Sequence, residues 1–146
     1  MDQECIFCAI VADRDRTEII AENGASLAFL DAYPINPGHV LVIPKIHARD
    51  IFEMDSAGAE SLFLLGHRVA ATLKESGIPA EGINFVMSNG AVAEQSVFHA
   101  HLHVIPRVTG DGFGFREGAP APNTAIDLSM VAGLLRTAGD RINPRG

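Results

Sequence analysis

Residues 98–106 read Phe-His-Ala-His-Leu-His-Val-Ile-Pro, with histidine at every second place from 99 to 103. In an extended strand successive side chains point to opposite faces. Phe98, Ala100, Leu102 and Val104 are then expected to face a core, and His99, His101 and His103 to share the other face. Such a run fits a half-buried strand and no helix. Same-face neighbours on a strand lie roughly 7 Å apart, and the outer two histidines roughly 13 Å. Metal–nitrogen bonds are about 2 Å long. Three imidazoles so spaced are not expected to share one ion, so the row divides between jobs. Imidazole changes charge near neutral pH, which suits it to proton transfer, metal binding and nucleophilic attack.

The chain has 146 residues, enough for one domain with its own core, and 47% of them are hydrophobic. A net charge of −7 argues against a nucleic-acid or membrane-surface binder, which would carry a basic patch. A small anionic substrate held by local donors stays open. No apolar run approaches the roughly 20 residues of a membrane span. The opening Met1-Asp2-Gln3-Glu4 lacks the basic and apolar regions of a secretory signal, so a cytoplasmic location is expected. The two cysteines, Cys5 and Cys8, are three apart. That spacing suggests metal binding or redox chemistry more than a structural disulfide. Two thiolates do not complete a tetrahedral zinc site, and the six histidines are the supply of further ligands.

The pattern predicts a helical turn over 5–13 and strands over 17–21, 26–30, 39–43, 82–88 and the histidine row. Asn23-Gly24 is a hairpin signal. A long helix capped by Asp55 or Ser56 buries Leu62, Leu65, Val69 and Leu73 and stops at Gly77. His67 falls off that stripe and reads as a surface residue. A Gly- and Pro-rich segment over 110–122 reads as a mobile connection, in which Phe113 or Phe115 is placed to cover a bound base. A last helix over 126–137 presents Met130, Val131, Leu134 and Leu135. The expected fold is α+β: an antiparallel sheet of about five strands with helices on one face, one domain over 1–139 and a frayed tail over 140–146.

His99-Ala-His101-Leu-His103-Val-Ile-Pro-Arg107 resembles the signature of the histidine triad family. The resemblance extends to Phe29-Leu-Asp31, to Pro37-Gly38-His39-Val-Leu-Val-Ile-Pro44-Lys45-Ile-His47 and to Gln95-Ser96-Val97-Phe98. It implies nucleotidyl transfer or hydrolysis at the α-phosphorus of purine nucleoside phosphoramidates or dinucleoside polyphosphates. The central histidine, His101, would form a covalent nucleotidyl intermediate, with His103 and His39 as the other catalytic histidines. A covalent step splits one hard displacement into two easier ones, and donors aimed at the phosphate oxygens favour it. The resemblance further implies nucleotide contacts from Asp31, Asn89, Gln95, Ser96, His101 and His103, with Asp31 on the ribose. Leu27, Phe29, Ile6 and Leu41 are candidate walls for the base. It implies a closed structural zinc site of Cys5, Cys8, His47 and His99, and a homodimer.

One position departs from the family's pattern. Glycine usually precedes the glutamine, and here the run is Ala93-Glu94-Gln95. Glycine allows positive φ and close backbone approach, and glutamate puts a charge beside an anion. Glu94 motivates an alternative, a nucleotide-binding regulatory module with little turnover. A second alternative is a metal-dependent hydrolase using neighbouring triad histidines with His39.

Overall fold

The computed structural model describes residues 5–115 and 127–143, which fall into two compact units dividing between Phe113 and Gly114. In the first unit, helix α1 (Ile6–Ala12) precedes β1 (Ile19–Glu22), β2 (Ser26–Leu30) and β3 (Val40–Pro44). Helix α2 (Ser56–Glu75) follows, then β4 (Gly82–Val86) and β5 (Leu102–Arg107). The strands form one antiparallel sheet in the order β1-β2-β3-β5-β4, which gives the expected α+β fold.

Each element has a local cause. Asn23 closes the β1–β2 hairpin, its Oδ1 accepting from the Ser26 amide at 2.8 Å. Asp55 caps α2 through Oδ1, which accepts from the Gly58 amide at 2.7 Å. Gly77 lies at φ 81°, just beyond the Ser76 C-cap, a conformation that ends the helix cheaply. Leu62, Leu65, Val69 and Leu73 are all buried against Ala28, Val40, Val42, Leu102 and Val104. Gly66 joins that stripe as a point of close approach: a Cβ there would come 2.8 Å from Leu102 Cδ2. His67 is exposed.

Two expectations need correction. The helices are not confined to one face: Phe7 of α1 packs with Leu27, Phe29, Leu41 and Ile43. Those strand residues alternate with the ones beneath α2, so α1 covers the opposite face. The histidine row is also not all strand. The chain bends at 97–99, β5 begins only at Leu102, and Phe98 is 39% exposed beneath the Arg49 guanidinium instead of in the core. Ala100, Leu102 and Val104 are buried as expected.

The described part of the second unit is helix α3 (Leu128–Ile142), capped by Asp127, whose Oδ1 accepts from the Ser129 and Met130 amides. It runs past the expected end at 137, through Gly139, so residues 140–142 of the expected tail are helical. Met130, Leu134 and Leu135 are exposed on it. Residues 116–122 of the Gly- and Pro-rich segment lie outside the described residues.

Candidate active site and metal centre

On the α1 face two histidine-centred groups lie side by side. The first gathers Cys5, Cys8, His47 and His99, whose ligand atoms all lie within 4.8 Å of one another. Cys5 Sγ is 3.4 Å and Cys8 Sγ 3.5 Å from His99 Nδ1; Cys8 Sγ is 3.3 Å from His47 Nδ1, and the two Nδ1 atoms are 3.2 Å apart. A tetrahedral zinc ion with bonds of about 2.05 Å to nitrogen and 2.3 Å to sulfur sets N···N near ~3.3 Å and N···S near ~3.6 Å. The four side chains therefore stand at the spacing of that ion's edges. His99 Nε2 donates to the Pro44 carbonyl at 2.8 Å, which leaves the Nδ1 lone pair facing the group. An outer partner of this kind fixes a ligand's tautomer and orientation. The donor set fits zinc, and with four protein ligands it is closed, as in structural sites.

The second group is Asp31, His39, His101 and His103. β5 places His103 opposite Leu41 of β3 and Val86 of β4, in the middle of the sheet. His39 enters at the start of β3 from Gly38, whose φ is 93° and where a Cβ would meet Leu73 Cδ2 at 2.9 Å. That position admits glycine and little else.

Hydrogen bonds fix the protons in this group. His101 Nδ1 faces the His99 carbonyl at 2.8 Å and must donate to it, so Nε2 carries the lone pair. His39 Nδ1 accepts the Ile35 amide at 3.1 Å, so its proton is on Nε2. That proton points to His103 Nδ1 at 2.9 Å, with Asp31 Oδ2 at 3.4 Å from the same nitrogen. His103 Nδ1 is then an acceptor and Nε2 a donor. Adjacent triad histidines thus hold opposite tautomers: His101 presents a lone pair and His103 an N–H.

Burial pushes all four buried or half-buried imidazoles toward the neutral form. His39 is lowered by burial, opposed by the Asp31 carboxylate. His101 is lowered by burial, opposed by its bond to the His99 carbonyl and by Asp31. His99 is lowered mainly by burial. His103 is lowered to about 4, by burial first and then by the neighbouring charges of His101 and His39. The His39–Asp31 contact is thus an N–H···O approach of a neutral ring, not an ion pair.

Other expected residues take different places. Gln95 is buried; its Nε2 donates to the Arg49 and Val97 carbonyls at 2.7 and 3.0 Å, and its Oε1 accepts from the Gly90 amide at 2.8 Å. Both of its amide hydrogens bond to backbone here, so its side chain also shapes the loop. Asn89 Oδ1 accepts from the Ile51 amide at 2.8 Å. Ser96 is exposed. Asp31 Oδ1 accepts from the Tyr33 amide at 2.9 Å, which leaves Oδ2 toward the histidines. Leu27, Phe29 and Leu41 are core residues, and Ile6 is exposed. Glu94 has φ 68° and ψ 24°, and among the described residues it alone adopts positive φ without being glycine.

Three features escaped the sequence. The Ile35 amide and the Pro44 carbonyl set tautomers, and backbone groups leave no mark in residue type. Phe7, between the cysteines, stands edge-on to His99 and His101. Asp111 is held by the Arg107 guanidinium, Nε and Nη2 donating at 2.7 and 2.6 Å, and by Asn36 Nδ2 at 2.8 Å. The Arg107 bond holds its carboxyl well below the usual range. Arg107 also donates to the Phe113 carbonyl and lies over the Phe113 ring at 4.7 Å. Residues 110–113 therefore form a turn held to Arg107 by these contacts.

A match to the HIT domain family spans residues 13–110. An uncharacterized HIT-like protein of Mycoplasma genitalium is 46% identical over 112 residues, 76% of this chain and 79% of its own. A zinc-bound histidine triad family protein from Mycobacterium smegmatis superposes with a TM-score of 0.72 at 36% identity, covering 92% of this chain and 97% of that one. A histidine triad nucleotide-binding protein from Candida albicans gives 0.77 at 29% identity, covering 95% and 97%. Fold and paired histidine groups define the class: a small α+β domain built around a row of alternating histidines. The chain belongs to the histidine triad, or HIT, family.

Proposed function

We propose that this protein is a nucleotide hydrolase or transferase that cleaves purine nucleoside phosphoramidates or dinucleoside polyphosphates at the α-phosphorus through a nucleotidyl-His101 intermediate. The observation that carries the reading is the pair of opposite tautomers: a lone pair on His101 Nε2 beside an N–H on His103 Nε2. In the first step His101 Nε2 attacks phosphorus and an N–P bond forms. The bond to the leaving group breaks, and the leaving group departs with the electron pair; an amine takes its proton from water. His103 Nε2–H donates to a phosphoryl oxygen as charge develops there. In the second step water adds to phosphorus, the N–P bond breaks, His101 recovers its lone pair and the monophosphate leaves. His39 keeps His103 in the donor tautomer. Asp31 Oδ2 is the proposed acceptor for the ribose hydroxyls, and Ser96 and Asn89 are proposed to border the phosphate.

Cys5, Cys8, His47 and His99 would hold zinc, as the ligand-edge distances and the zinc-bound relative support. Bound there with no open position, zinc would serve as a cross-link. Two cysteines at ligand spacing and outside any disulfide suit a reducing compartment, which supports a cytoplasmic location. No described helix is long and apolar enough to cross a membrane. A homodimer is supported by the outer edge of β4, which no described strand pairs, and by the exposed Phe63 and Leu64 of α2. The metal-hydrolase alternative has a candidate ligand set in Asp31, His39 and His103, whose ligand atoms lie within 4.8 Å of one another, while the Ile35 amide on His39 Nδ1, which puts the ring proton on Nε2, counts against it.

The test is turnover of adenosine phosphoramidate and diadenosine polyphosphates by the wild type and by His101→Ala, with mass analysis of quenched enzyme for a nucleotidyl adduct. Loss of both turnover and adduct in the variant is expected. Equal turnover by His101→Ala would remove the assigned nucleophile. A folded wild type that binds but turns over none of them would favour the binding module.

A further inference from the structure

We infer that Phe7 is a positioning residue for the His101 nucleophile, held in place by the cysteines on either side of it; the inference rests on the covalent-histidine reading. The Phe7 ring is buried, 5% exposed. It meets the His101 ring edge-on at 5.3 Å between centroids and 76° between planes. It meets His99 at 5.8 Å and 78°, and Phe29 at 5.6 Å and 64°. A single hydrogen bond from Nδ1 to the His99 carbonyl leaves the His101 ring free to tilt about that contact. The His103 ring stands at 5.0 Å, and Phe7 supplies a second ring wall. An aromatic wall restricts tilt without offering an acceptor that would compete for the imidazole proton.

The wall needs support of its own. Helix α1 has seven residues, too few to persist alone. Cys5 stands at its N-cap and accepts the Cys8 amide on Sγ, and both thiols face the shared group with His47 and His99. Phe7 sits between the two anchored positions. The four-ligand group therefore reaches His101 by two routes: through the His99 backbone carbonyl, and through the ring that the cysteines hold against it. A cross-link with no open coordination position would in this way also set the attack geometry, where misplacement by about 1 Å can cost 10²-fold in rate.

The test compares Phe7→Leu, which keeps an apolar filler but no ring, with Phe7→Tyr, which keeps the ring. Zinc content and folding are measured for each, and the ring nitrogens of His101 are followed by 15N NMR on the zinc-loaded, substrate-free proteins. Phe7→Leu is expected to retain zinc, lose about tenfold or more in kcat with KM within about twofold, and show His101 ring-nitrogen shifts displaced from those of the wild type. Phe7→Tyr is expected to hold the wild-type nitrogen pattern. Phe7→Met takes the place of the leucine variant if that one does not hold zinc. A ring-less, zinc-loaded variant with wild-type kcat and unchanged His101 nitrogens would overturn the inference. So would a change confined to KM, which would make Phe7 a wall of the base pocket. A wild type without turnover would remove the functional reading, yet the nitrogen comparison would still decide the role of Phe7.

Discussion

Glu94 shows how one side chain records a backbone requirement. Its left-handed conformation, φ 68°, is one that glycine adopts without penalty, and an L side chain pays about 1–2 kcal/mol for it. The glutamate thus follows the path that glycine would take, with its side chain in solvent. Glu94→Gly is expected to raise stability by about 1 kcal/mol, read as a higher denaturant midpoint at constant slope. No gain would mean that the loop relaxes elsewhere. The histidines carry a second prediction. A folded-state pKa of about 4 for His103 means that the native protein resists a proton which the unfolded chain accepts near 6.5. Stability from this source is fully present above about pH 6.5 and is lost as pH falls through about 4. His101 is lowered in the same direction, so kcat/KM is expected to stay level from pH 7 to below 6.5 and to fall only beyond that. An acid limb centred at or above 6.5 in the pH–rate profile would contradict a neutral, buried nucleophile.

At the scale of elements, α2 and β5 meet at Gly66, where Leu102 leaves no room for a Cβ. Leu102 lies between His101 and His103, so crowding the helix side displaces the histidine row. Gly66→Val is expected to cost about 1–3 kcal/mol in chemical denaturation. Leu65→Ala, which empties the same interface, is expected to cost about 2–5 kcal/mol. These contacts also mark what was legible. The stripe Leu62, Leu65, Val69 and Leu73 follows from periodicity, because one buried face imposes its period on the residues. Strand β2, Ser26–Leu30, is buried on both faces and follows instead from its short apolar run behind the Asn23-Gly24 turn. The extension of the strand back to Phe98 fails because alternation continues in the residues while the backbone bends at 97–99. The four metal-site residues come together only through the resemblance, since they lie on three separate stretches of chain. The tautomers were not legible at all: they depend on the Ile35 amide and on the carbonyls of Pro44 and His99.

For the molecule as a whole, the four-ligand group joins α1 to the ends of two central strands. Removing zinc by chelation is expected to lower the melting temperature by more than about 5 °C, because α1 loses the cross-link that holds it on the sheet. Scanning calorimetry with and without added zinc checks this, and an unchanged transition would show that α1 holds by packing alone. The positions of the ligands along the chain have a consequence for biosynthesis. Cys5 and Cys8 leave the ribosome first, His47 follows, and His99 emerges after two-thirds of the chain has been made. The amino-terminal helix has Leu27, Phe29, Leu41 and Ile43 to pack against early, but the last of its four candidate ligands arrives only with His99. By then all but the final strand of the sheet has been translated. A zinc ion held by all four side chains would thus close its site only once His99 has been delivered, two residues ahead of the proposed nucleophile.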